Sequence, residues 1–202
     1  MARKTYEGAC VLCKETVPRH KMLIHLIACL PKAKIPSYII YAVGTERPEY
    51  WLYVEIPSSA KLADLDKFLR STWLECCGHL SAFTIRDQEY SSYTEGSDAK
   101  SMNYTLEKIL KHGDEFNYEY DFGTTTPLTL KVVAPQRTNS KNARLLAMNL
   151  PPRHECSKCA SPSSFFCQEC EEWFCKKCAK HGCDECMLSH EVNSPRVGQC
   201  AY

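Results

Sequence analysis

The sequence carries no apolar leader at its N-terminus, and no uninterrupted apolar run approaches the ~20 residues that a membrane-spanning helix requires. Those two absences argue against export and against a helical anchor, so the expectation is a cytoplasmic protein with no membrane partner. A glycine-rich phosphate loop and a His-Arg-Asp triplet are also missing, so Asp121-Phe122-Gly123 does not read as a kinase signature. No nucleophile signature surrounds Cys76 and Cys77. Nor is there a C-x2-C-x2-C-x3-C-P run of the kind that holds iron–sulfur clusters. An excess of charge of one sign is lacking too, since the 202 residues carry a net +1. That balance conceals an uneven distribution: residues 1–34 carry +5, residues 35–136 carry −6 and residues 137–202 carry +2.

What the chain does have is cysteine, fourteen in all. Eight fall into four C-x2-C pairs, Cys156/Cys159, Cys167/Cys170, Cys175/Cys178 and Cys183/Cys186, separated by seven, four and four residues. Each pair forms a turn that offers two thiolates to one tetrahedral ion, so four pairs supply two four-cysteine sites. A reducing cytosol keeps thiols free, which favours metal thiolates over disulfides. Spacing leaves the connectivity open. Consecutive pairs would give sequential ribbons. Alternating pairs would give a B-box or RING-like cross-brace, with Cys156, Cys159, Cys175 and Cys178 on one ion and Cys167, Cys170, Cys183 and Cys186 on the other. The cross-brace is the favoured arrangement. Four thiolates close the tetrahedron and leave no position for water, so both sites read as structural. His181 and His190 are alternative ligands and read as surface residues. Two Zn2+ ions bound by eight thiolates would take the C-terminal segment to about −2, a poor match for a phosphate backbone.

A further pair, Cys10 and Cys13, is followed after eleven residues by His25 and Cys29. The four-residue spacing of His25 and Cys29 puts both on one face of a helix over residues 20–29, the pattern of a small C2HC zinc finger. Met22, Leu23 and Leu26 are placed to pack beneath the ion. His20 is a competing ligand, but it would leave a loop of only six residues after Cys13. The expectation is therefore three zinc ions per chain. Lys14, Arg19, Lys21, Lys32 and Lys34 make this finger the basic part of the chain and its candidate nucleic-acid contact.

Between the cysteine-rich ends the pattern alternates strand and helix. Residues 38–43 and 50–56 predict a hairpin with its turn at 44–48. Leu62, Leu65, Phe68, Leu69 and Trp73 recur at helical spacing over 61–74, with Pro57-Ser58-Ser59 as a cap. Residues 79–85 predict a strand, 87–103 a polar loop, 105–112 a short helix, and 116–122 and 128–133 two more strands. In the 116–122 strand, Phe116, Tyr118, Tyr120 and Phe122 share one face, read as core, and Asn117, Glu119 and Asp121 the other, read as solvated. The resulting architecture is α+β: a central mixed or antiparallel sheet with two helices over 35–136, a C2HC finger at 1–34, a linker at 137–154 that docks in part, and a double-zinc module at 155–202.

The stretch from residue 50 to residue 133 resembles the plasmid pRiA4b ORF-3-like family. The resemblance rests on Val54-Glu55-Ile56-Pro57, Leu62-x2-Leu65, Trp73, His79-Leu80-x2-Phe83 and, above all, Tyr118-Glu119-Tyr120-Asp121-Phe122-Gly123. The flanking cysteine units and Asn193-Ser194-Pro195-Arg196 are similar to the ends of some members. The resemblance implies an α+β domain often encoded by plasmids or mobile elements, and it implies no established reaction. The family's Asp-Phe-Gly-Asp-x-Trp turn reads Asp-Phe-Gly-Thr-Thr-Thr at residues 121–126.

Closed metal sites without a complete catalytic constellation point to a non-enzymatic, zinc-binding recognition protein of nucleic acid or protein. Two alternatives remain open. One is a hydrolase-like or other enzyme built on Cys76, Cys77 and His79, with Asp87 as orienter, or on Glu119 and Asp121. The bland reading of the first group is two buried cysteines at a helix–strand junction. The other alternative is a protein–protein adaptor acting through the C-terminal zinc module. Cys200 is either a free thiol or a packing residue.

Overall fold

The computed structural model describes residues 6–181 and 188–200. The N-terminal finger supplies β1 (Glu7–Cys10), β2 (Thr16–Pro18) and α1 (Arg19–Cys29). The hairpin β3 (Ile35–Gly44) and β4 (Trp51–Pro57) follows, then α2 (Leu62–Leu69), which runs into one π-helical turn at Arg70–Leu74. Next come β5 (Ser81–Ile85), β6 (Gln88–Ser91), β7 (Lys100–Ser101) and the single-turn α3 (Leu106–Ile109). The antiparallel strands β8 (Glu115–Tyr120), β9 (Thr126–Thr138) and β10 (Arg144–Asn149) complete the large sheet. Its order is β2-β1-β10-β4-β3-β9-β8-β5-β6-β7, antiparallel except for the parallel β6–β7 pair. A separate three-stranded sheet contains β11 (Phe165–Cys167), β12 (Glu172–Phe174) and β13 (Leu188–His190).

The fold is thus mostly β with three α-helices among the described residues, and α+β is only a coarse label for it. The hairpin, α2 and α3 stand where the pattern placed them. The extra strand content comes from segments without a long apolar signal. Residues 87–103, expected as a loop, contain β6 and β7. Residues 137–154, expected as a partly docked linker, contain β10, which sits inside the sheet between β1 and β4. No helix among the described residues is long and apolar enough to cross a membrane.

Strand β4 shows how the layers are arranged, because every one of its residues is buried. Leu52, Val54 and Ile56 face the main core, where α2 contributes Leu62, Leu65 and Leu69 and the π-turn contributes Trp73 and Leu74. Trp51 and Tyr53 face the opposite layer with Ile39, Leu146 and the finger residues Met22 and Leu26. A strand covered on both faces reads as a continuous apolar run instead of an alternating one. Glu55 interrupts that run and is completely buried. Its Oε2 accepts from Arg144 Nε at 2.6 Å and Thr138 Oγ1 at 2.7 Å, so the carboxylate is paired with a cation as well as a hydroxyl.

The finger is continuous with the sheet, since β1 pairs with β10 from Gly8↔Asn149 to Cys10↔Ala147. Close approach at Gly8 allows this, because a Cβ there would overlap the Trp51 indole and the Met148 carbonyl. At the other end, Asn193 and Ser194 return to the main core. Trp73 Nε1 donates to the Asn193 carbonyl at 3.1 Å, and Ser194 Oγ donates to the Trp73 carbonyl at 2.6 Å. Gly8→Ala should therefore destabilise the chain by about 1–3 kcal/mol through overpacking, read as a lower urea midpoint with an unchanged slope.

Candidate metal centres

Among the described residues, three groups of cysteine and histidine side chains each converge within 4.8 Å, close enough to hold a metal ion. The first is Cys10, Cys13, His25 and Cys29. The turn after β1 is closed by the Lys14 N–H donating to the Cys10 carbonyl at 2.9 Å, with Lys14 in the left-handed region at φ 67°. This knuckle aims two thiols at α1, where His25 and Cys29 lie one turn apart. Cys13 Sγ is 3.2 Å from His25 Nε2 and 3.8 Å from Cys29 Sγ, while Cys29 Sγ is 3.4 Å from His25 Nε2. Met22 and Leu26 are fully buried beneath the group, and Leu23 packs beside them. His20 is exposed and outside it.

The second group is Cys156, Cys159, Cys175 and Cys178. Alternating pairs are brought together, which is the cross-brace arrangement for this site. Cys159 Sγ lies 3.7 Å from Cys175 Sγ and 3.6 Å from Cys178 Sγ. Its first turn repeats the finger's knuckle, with the Ala160 N–H donating to the Cys156 carbonyl at 2.8 Å and Ala160 at φ 56°. Glu171, the residue after Cys170, also has a left-handed conformation, φ 53°. Its N–H donates to the Gln168 carbonyl at 3.3 Å, so the Cys167–Cys170 turn shares the left-handed residue but not the bond to the first cysteine, and the expected partners Cys183 and Cys186 lie outside the described residues.

The third group joins Cys76, Cys77 and His79 to Cys200. Cys77 Sγ is 2.9 Å from His79 Nε2, 3.2 Å from Cys200 Sγ and 3.5 Å from Cys76 Sγ. Cys77 is exposed and Cys76 half-buried, so the expected pair of buried packing cysteines is not what the junction holds. The carboxylate facing His79 is Asp121, with Oδ1 3.4 Å from Nδ1, in place of the expected Asp87. Asp121 follows β8 at φ 65°, which turns the chain, buries its carboxylate and leaves Phe122 half exposed. Strand alternation had placed Asp121 with Glu119 on a solvated face and Phe122 in the core. Only Glu119 is exposed, so the two acids do not converge on a site.

Arg196, fully buried, links this group to the core. One guanidinium nitrogen is 2.5 Å from Asp121 Oδ2 and 3.6 Å from Cys76 Sγ; the other donates to Thr126 Oγ1 at 3.0 Å. Burial works against ionisation of Asp121, but Arg196 and the N–H groups of Thr124 and Gly123 outweigh it and hold the carboxyl below its usual range. Each group contains thiols driven in opposite directions. Burial opposes ionisation of Cys76, yet hydrogen bonds from Cys77 and Cys200 and the nearby Arg196 lower it to about 7, whereas hydrogen bonds to Cys200 and Cys76 push Cys77 up to about 12. The Cys175 N–H leads in lowering Cys156 to about 6, and hydrogen bonds to Cys159 and Cys175 push Cys178 up to about 12. The Glu15 N–H leads in lowering Cys13, and burial pushes Cys29 up to about 11. One thiolate forbids the next at this spacing, a conflict that a divalent cation removes.

Residues 42–157, from the end of β3 through Cys156, match the family described as plasmid pRiA4b ORF-3-like protein. The chain belongs to the plasmid pRiA4b ORF-3-like family. The family match takes in Cys76, Cys77, His79 and Asp121, and leaves out the finger, most of the C-terminal cysteines, Arg196 and Cys200. Among solved structures, a protein of unknown function from Methanosarcina mazei Go1 is similar at 17% identity and a TM-score of 0.50, over 58% of this chain and 72% of that one. That likeness concerns the fold alone. A search of curated proteins gives no match.

Cys200 and Arg196 were missed as partners of this site because nothing local marks a contact across 120 residues. The Asn193-Ser194-Pro195-Arg196 segment was the available signal. Arg196→Met should cost about 3 kcal/mol in unfolding free energy, at the low end for breaking a buried pair because two N–H donors stay on Asp121. Urea titration of the intact chain checks it.

Proposed function

We propose that this protein is a zinc-loaded, non-enzymatic recognition protein that binds nucleic acid through its N-terminal finger. The donor sets support zinc, because four thiolates, or three with one imidazole, suit a tetrahedral, borderline-soft ion and leave no open position for catalysis. The observation that carries the reading is the finger's surface. Lys14, Lys21, Lys32 and Lys34 are all exposed, and none has a carboxylate partner among the described residues. Arg19 is already engaged: it donates to the Pro48 carbonyl at 2.8 Å and lies against Tyr6 and Tyr41, so it orients the finger. With Cys10, Cys13, His25 and Cys29 holding one ion, α1 is fixed on the sheet with its lysine-bearing face outward. A single finger covers little nucleic acid, so affinity comes from phosphate contacts more than base reading.

A second reading is a protein contact at the same helix. Ile24 is 75% exposed and Ile27 48% exposed on the outer face of α1, an apolar pair with no core role. Under that reading a protein partner is lost on Ile24→Ser while duplex binding is kept.

Fluorescence anisotropy with duplex DNA at a series of salt concentrations tests the leading reading. The double variant Lys14→Glu/Lys21→Glu should weaken binding at least tenfold at low salt and lower the salt slope by about 0.9 per lost phosphate contact. Absence of DNA or RNA binding by the zinc-loaded chain at low salt sinks the nucleic-acid reading. Loading is checked on the same samples by zinc content, where Cys13→Ser should lose one equivalent.

A further inference from the structure

We infer that Cys76, Cys77, His79 and Cys200 form an additional structural zinc site, one that clasps the C-terminal segment onto the central sheet. Three sulfurs and one imidazole nitrogen converge here, four donors as in each of the other two groups. In a tetrahedral site with bonds of ~2.3 Å, ligand sulfurs stand about 3.8 Å apart. Sulfur separations at this group are shorter, 3.5 Å and 3.2 Å, so a bound ion would spread the thiols toward the 3.8 Å that the finger group shows.

The surroundings of the ligands are those of a metal site. Nε2 of His79 faces the thiols, and Nδ1 faces Asp121 at 3.4 Å, the carboxylate–imidazole arrangement that orients a metal-bound histidine. Asp121 is itself held by Arg196 and by the Gly123 and Thr124 N–H groups at 3.0 and 3.3 Å. Three thiolates around one Zn2+ leave a net charge of about −1, and the Arg196 guanidinium 3.6 Å from Cys76 Sγ lies where it offsets that charge. Gly78, at φ 82°, lets the chain turn between Cys77 and His79. Glu75 braces this loop by accepting from the Gly78 N–H at 2.6 Å.

The site closes a span of 123 residues between Cys77 and Cys200. What it ties down is the segment that leads out of the C-terminal cysteine module. Val197 is buried in the main core, and Gly198 fits tightly against the Phe166 ring of β11. A bound ion would thus hold the module to the sheet at a point where the ligands come from both. The inventory of ligands agrees. The finger and the four C-x2-C pairs use eleven of the fourteen cysteines, and the remaining three are the ones gathered here around a histidine.

The test is the zinc content of the full chain, prepared in parallel as wild type, Cys77→Ser, Cys200→Ser, the double variant and Cys200→His. Each serine variant should lose one equivalent, the double variant should lose that same one and no more, and Cys200→His should keep it. Trypsin should cut after Arg196 at least several-fold faster in Cys200→Ser. Wild-type zinc content in the double variant overturns the assignment. Loss of more than one equivalent from Cys200→Ser overturns it as an independent site, and a Cys77–Cys200 disulfide in the freshly purified wild type, read by thiol titration, overturns it as a metal site. The nucleic-acid assay of the finger reads a different part of the chain, so either proposal fails without the other.

Discussion

The ion pair between Arg196 and Asp121 is the contact on which the junction of sheet, cysteine group and C-terminal segment depends. A fully buried guanidinium is costly to desolvate, and it persists only where its charge is met. Here it is met by a carboxylate that had to leave the regular strand to reach it, at φ 65°. The same carboxylate faces His79 with its other oxygen, and the same guanidinium lies against Cys76 and over the Tyr120 ring. Segments far apart in sequence are thereby fixed to one another by a few charged atoms inside an otherwise apolar core.

Two of the metal-ready clusters among the described residues occupy places where packing alone is thin. The finger has two short strands and one helix, and the C-terminal module has strands of three residues each. Neither could bury much apolar surface by itself, and an ion held by four ligands supplies what a small core cannot. The ten-stranded sheet needs no such help in its middle, where β4 is buried on both faces. Apolar packing carries the centre of the sheet and thiols gather at both ends of the chain, with the Cys76, Cys77, His79 and Cys200 group joining the two.

How much of this could be read in advance follows from the range of each interaction. The finger was legible because its ligands lie within twenty residues and helix geometry fixes the His25–Cys29 pair. The hairpin and α2 were legible from apolar periodicity. The serines expected to cap α2 do not do so: Ser58 Oγ donates to Glu107, and the Lys61 N–H meets Asp64 instead. Strand β10 was obscured because a six-residue strand flanked by polar residues and prolines carries little pattern of its own. The cross-brace was favoured but undecidable from spacing, since two connectivities satisfy the same turns.

The sequence by itself determined the donor chemistry: which cysteines come as turns, and which histidine stands one helical turn from Cys29 to form a set that could hold a metal ion. Local geometry carries all of that, because a C-x2-C turn and an i, i+4 helical pair are fixed by a few backbone dihedrals. Only the tertiary structure decided that Asp121 turns inward, that Arg196 is buried against it, and that Cys200 joins Cys76, Cys77 and His79. Those contacts join residues more than seventy positions apart, and no periodicity extends that far. Their partners are selected by the packing of the sheet that lies between them.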